Sequence, residues 1–148
     1  MLGRFAFLPA FWLGFLGLIL IHELGHALLV VRYRLGLTEI AVHGMGGYCR
    51  HQRSGSPFQE AVVAWGGVAA QAILLLVAYA WLLLFGPPRS SHSALLLHVF
   101  TSTNLLVICI NLLPIEPLDG KKAWRLVGIL RDRWRAPPSA RAQESPPQ

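Results

Sequence analysis

His22, Glu23 and His26 are the residues whose types and spacing point most directly to chemistry. In a helix, positions i and i+4 share a face, so two imidazoles can offer nitrogens to one metal ion while Glu23 reaches a water beside it. Zinc suits such a site, because imidazole and carboxylate hold it tetrahedrally, it acidifies water and it polarises a carbonyl. The chemistry expected is hydrolysis at one Zn2+ per chain, with His22 and His26 as ligands and Glu23 as the catalytic general base. An HExxH pattern arises by chance in about one such chain in a hundred, so its surroundings must carry the case.

A catalytic zinc usually takes three protein ligands and keeps one position open. The chain has two aspartates, Asp119 and Asp132. Asp132 lies in a basic stretch, whereas Asp119 follows Pro114 and Pro117, where irregular backbone can line a cavity. Asp119 is the expected third ligand; the competing reading is that it only caps a helix beginning at Gly120. His43, His51 and His92 fall in expected loops. Glu116, between two prolines, reads as a surface charge more than as a catalytic acid.

The elements that must position these groups belong to a membrane. Of 148 residues, 54% are hydrophobic and 14% charged, and mean hydropathy is +0.50, whereas soluble domains carry about a quarter charged residues. Apolar runs at about 5–31, 60–85 and 93–114 are long enough to span a bilayer. The first resembles a signal peptide in position, but it runs into His22-Glu23 without a small-residue cleavage site and is expected to be retained. Between the first two runs, Thr38 to Cys49 alternates apolar and polar residues around Gly44-Met45-Gly46-Gly47, a strand-turn-strand pattern. An interfacial helix is expected at about 120–135, and the Pro- and Ser-rich residues 136–148 read as a disordered tail. The expected fold class is an all-α membrane protein: one domain, 1–135, with a three-transmembrane-helix core bundle and a short membrane-adjacent β-hairpin. Span two is expected to pack between spans one and three.

A net charge of +6 could suggest nucleic acid, but the basic residues gather at the ends of apolar runs and read as topology signals, so no nucleic-acid partner is expected. Arg32, Arg34, Arg50 and Arg53 follow span one, six more lie between Lys121 and Arg135 after span three, and Arg4 and Arg89 flank the other side. The N-terminus is therefore expected outside, the C-terminus in the cytoplasm, and His26 about 9 Å of helix inward from Arg32, nearer the cytoplasmic side.

The sequence His22-Glu23-Leu24-Gly25-His26 within a span, with Asn111-Leu112-Leu113-Pro114-Ile115-Glu116-Pro117-Leu118-Asp119-Gly120 after the last one, resembles the site-2 protease family of intramembrane zinc metalloproteases. Gly67-Val68-Ala69-Ala70-Gln71 looks like that family's small-residue motif in the middle span, with Gln71 where the family commonly has Asn. The resemblance covers roughly residues 12 to 130. It implies zinc ligands at His22, His26 and Asp119, a base at Glu23, and regulated intramembrane proteolysis of a single-span membrane-protein substrate. Asn111, Gln71 and Gly67 are expected near that substrate, and the β-hairpin is expected either to receive it in extended form or simply to pack over the helices.

Along span three, His98, Thr101, Asn104 and Asn111 form a polar stripe that should face protein or water. The small pairs Gly66-Gly67 and Ala69-Ala70 should allow close helix approach, and a three-span core leaves room for a homo-oligomer or another membrane partner. Two other functions compete: a catalytically inactive zinc-binding membrane protein that regulates a partner, and a metal or proton transporter. Glu23 argues against the first, since a structural zinc site needs no base and is usually closed by four ligands. The absence of repeated halves argues against the second.

Overall fold

The computed structural model describes residues 9–43, 46–51 and 55–135. The expected tail and the start of the expected first span lie outside the described residues. Three described helices are long and apolar enough to cross a membrane: α1 (Pro9–Arg32), α2 (Pro57–Phe85) and α3 (Ser91–Asn111). Their ends follow from local chemistry more than from hydropathy.

Helix α1 stops at Arg32 because the chain turns left-handed at Arg34, with φ 55°. The Leu35 N–H then bonds the Val30 carbonyl and the Arg34 N–H bonds that of Val31. That is a Schellman closure. Its customary apolar contact is present as well, since Leu35 and Val30 are buried together with Val63.

Helix α2 begins a few residues before the apolar run. Ser56 accepts from the Gln59 N–H and Gln59 returns a bond to the Ser56 N–H, with Pro57 in the first turn. This capping box satisfies donors that a helix start leaves open. Helix α3 ends at Asn111, short of 114, since Pro114 lacks the N–H that would continue the ladder and its ring disfavours helix at Leu113.

Strands β1 (Leu37–His43) and β2 (Gly46–His51) pair antiparallel, with Leu37 opposite His51 and His43 opposite Gly46. Both pack on α1. After α3, a run of turns leads to α4 (Gly120–Ala123) and α5 (Arg125–Arg135), so the single helix expected at 120–135 is broken at Trp124. The Arg133 guanidinium lies 4.9 Å over the Phe58 ring, tying α5 to the start of α2.

The three long helices meet differently from the expected layering. Helix α1 packs chiefly on α2, and α3 touches both, its first half meeting α1 and its second half meeting α2. Span two is thus one corner of a three-cornered bundle. The reason lies in the glycines. A Cβ on Gly25 would overlap the Gly66 backbone, and one on Gly66 would reach the Gly25 carbonyl oxygen at 2.6 Å, so α1 and α2 touch backbone to backbone. Close contact of this kind is how small residues hold helices together in lipid.

Candidate metal centre

His22, Glu23 and His26 lie on the buried face of α1. Their four-residue spacing brings the two Nε2 atoms to 3.0 Å. Asp119, 93 residues after His26, closes the group: its Oδ2 lies 3.0 Å from His22 Nε2 and 3.2 Å from His26 Nε2. Among the described residues these three form a cluster able to hold a metal ion.

The far side of each ring determines what the near side offers. His26 Nδ1 lies 2.7 Å from the Val63 carbonyl oxygen, which only accepts, so Nδ1 carries the proton and Nε2 keeps its lone pair. His22 Nδ1 lies 3.1 Å from Gln71 Oε1 and is held in the same tautomer. Two imidazole lone pairs and a carboxylate oxygen therefore converge at 3.0–3.2 Å with no proton of their own between them. Such a group is repulsive unless a cation stands among them. The separations are close to the roughly 3.3 Å edge of a tetrahedron with zinc–ligand bonds near 2.0–2.1 Å. The donor set fits zinc, and carbonyl and amide partners on the outer nitrogens are what orient ligand histidines.

Asp119 reaches this place from an unusual backbone. It stands at the N-cap position just before α4, with helical φ and ψ, and its side chain makes no capping bond. The capping alternative therefore fails: the carboxylate is turned onto the imidazoles. The loop that carries it is pinned at both ends. Trp124 Nε1 donates to the Leu112 carbonyl at 2.7 Å, and Trp65 Nε1 on α2 donates to the Ala123 carbonyl at 3.0 Å. The two indoles meet edge to face, 6.0 Å between centroids.

Glu23 is buried and its Oε2 has no protein partner. It lies beside the ligand pair on α1, available to a water at the cluster. Gly67 is bare backbone under both rings: a Cβ there would overlap His22 and His26. Gln71 is completely buried behind His22. The structure thus brings Gln71 and Gly67 against the imidazoles, where the sequence had placed them with substrate. Asn111 is half-buried at the end of α3.

Of the other candidates, His92 is exposed and Glu116 pairs with Lys121 in solvent. The side chains of His43 and His51 lie outside the described residues. The polar stripe of α3 turns inward at Thr101 and Asn104, both buried. Two participants had little signal in the sequence. The Val63 carbonyl is backbone, which any residue supplies, and the indole clamp joins Trp65 to Trp124 across 59 positions of otherwise unremarkable sequence.

No protein-family model matches the chain. Over 108 residues, 71% of its length, it is 37% identical to Stage IV sporulation protein FB of Bacillus subtilis (strain 168), covering 35% of that protein. The chain thus spans about a third of the length of the curated relative it matches. The three membrane-capable helices support an integral membrane protein.

Proposed function

We propose that the chain is a zinc-dependent intramembrane endopeptidase of the site-2 protease type, cleaving a peptide bond in or near the transmembrane segment of a single-span membrane protein. The observation that carries this reading is the convergence of His22, His26 and Asp119 with both outer imidazole nitrogens already engaged, next to a buried carboxylate with an unpartnered oxygen. The likeness to the sporulation protein supports a protease of this type.

His22, His26 and Asp119 would hold the metal through two nitrogens and one oxygen. Zinc there supplies Lewis acidity, making water more acidic and a peptide carbonyl more electrophilic. Glu23 takes a proton from the attacking water and returns it to the leaving amine. Gln71 and the Val63 carbonyl keep the ligand rings turned, and Asn111 contacts substrate. A transmembrane substrate hides its carbonyls in helical hydrogen bonds, and the free edge of the β1–β2 sheet is suited to receive it in extended form.

The N-terminus is outside, the C-terminus cytoplasmic, α5 lies at the cytoplasmic membrane surface, and the product is released on that side, following the asymmetry of Arg and Lys. Residues 1–135 act as one catalytic core. The small three-span bundle works with a second copy or another membrane protein as shield from lipid.

In a membrane preparation with a single-span substrate, Glu23→Gln is expected to lower cleavage by about 10²–10⁴-fold while zinc content stays at one per chain. Undiminished cleavage removes Glu23 from the mechanism. Asp119→Ala is expected to lose zinc, and unchanged affinity excludes it as a ligand.

A further inference from the structure

Asn104 is the polar residue of α3 that the metal centre leaves unexplained. It is completely buried, as is Gln71. Its Nδ2 donates to the main-chain carbonyl of Gln71 at 2.9 Å and to the Phe100 carbonyl at 3.3 Å. The second bond has a local cause. Val99–Thr103 is a π-helical turn, and it carries the Asn104 N–H to the Val99 carbonyl, one residue beyond the Phe100 carbonyl it would meet in an α-helix. The side chain takes up the carbonyl its own N–H has passed over.

That hydrogen-bonding does not account for the residue as a stabilising one. Asn104 Oδ1 and Gln71 Nε2 are buried without a protein partner. A buried amide left half satisfied costs stability, and an apolar side chain of similar size would fill the same volume without that cost. What the amide does supply is a connection. His22 on α1 bonds the side chain of Gln71 on α2, and Asn104 on α3 grips the peptide of that same residue.

We propose that Asn104 is a positioning residue, which fixes the height and rotation of Gln71 against α3 and through it the direction of the His22 lone pair toward the metal. The inference rests on the zinc reading of the His22, His26 and Asp119 cluster. The three spans are thereby joined at one ligand, and the π-helical turn sets Asn104 at the level where the junction forms.

The test is zinc affinity, measured on the purified chain in detergent by competition with a chromophoric chelator, together with the visible spectrum of the cobalt-substituted protein. Asn104→Leu is expected to weaken zinc binding by about 10–100-fold, the range for residues that orient ligands, and to alter the cobalt bands, with thermal stability kept or raised. Gln71→Leu should do the same, and the double variant should bind no more weakly than either single one. Thr101→Val is the control, since the Thr101 hydroxyl bonds within its own helix to the Leu97 carbonyl; it should leave affinity unchanged. Wild-type affinity and spectrum in Asn104→Leu overturn the proposal, as do additive losses in the double variant or an equal loss in Thr101→Val. Should the leucine variant fail to fold, Asn104→Ala reads the same quantities. A wild-type chain that binds neither zinc nor cobalt overturns the metal reading itself, a result distinct from all of these.

Discussion

The two halves of α2 are both apolar and uncharged, yet have opposite surroundings. From Ala61 to Gln71 the helix buries Ala61, Val63, Ala64, Gly66, Gly67, Val68 and Gln71 against its neighbours. From Ile73 to Phe85 it buries Ala78 and leaves Ile73, Leu76, Val77, Trp81, Leu83, Leu84 and Phe85 exposed. Neither half carries a charge. In water the leucine-rich half would be the core, but in a bilayer lipid tails are as apolar as leucine and give large side chains no reason to seek protein. The half rich in glycine and alanine packs because its backbone can be approached closely, and there it meets the His22 and His26 rings. The less apolar half is the one that packs, so residue size decides and hydropathy does not.

The comparison predicts unequal sensitivity along one helix. Gly67→Val places two methyl groups into the space of the His22 and His26 rings. It is expected to abolish stoichiometric zinc binding and to lower stability by about 1–3 kcal/mol, through overpacking. Metal analysis and thermal unfolding in detergent measure both, and a zinc-loaded valine variant of normal stability would break the contrast. A smaller effect is expected just outside α2. Trp124→Phe keeps the ring but loses the indole bond to the Leu112 carbonyl, which should cost about 0.5–1.5 kcal/mol and speed zinc release to a chelator as the Asp119 loop loosens. Equal release rates would show that the Trp65 bond to Ala123 holds the loop unaided. Leu83→Ala, in the other half of α2, should change unfolding by no more than about 0.5 kcal/mol and leave zinc content alone. A large loss there would reveal a protein partner on a face assigned to lipid.

Much of the site was legible because its information is local. The i, i+4 spacing of His22 and His26 specifies one helical face whatever the helix packs against. An acid and two imidazoles inside an apolar run mark function, since lipid makes them costly. The proline-broken segment before Asp119 was equally readable. Helix ends were read less well: α2 begins earlier and α3 ends sooner than hydropathy implied, since Ser56 and Pro114 act through hydrogen bonds and ring sterics that a hydropathy window does not count.

What the sequence determined by itself is therefore the membrane class, the three spans, the histidine pair with its glutamate, and Asp119 as the acid to complete them. Only the tertiary structure decided the jobs of the middle span. Gly67 and Gln71 looked like neighbours of a substrate, yet one makes room for the imidazoles and the other holds the outer nitrogen of His22. It also brought the Asp119 carboxylate onto both rings, and it gave Asn104 a place beside Gln71. The reason is physical. A spacing along one helix fixes angles about that helix, but which helix lies across from it, at what height and how close, depends on glycine contacts and hydrogen bonds between residues far apart in the chain.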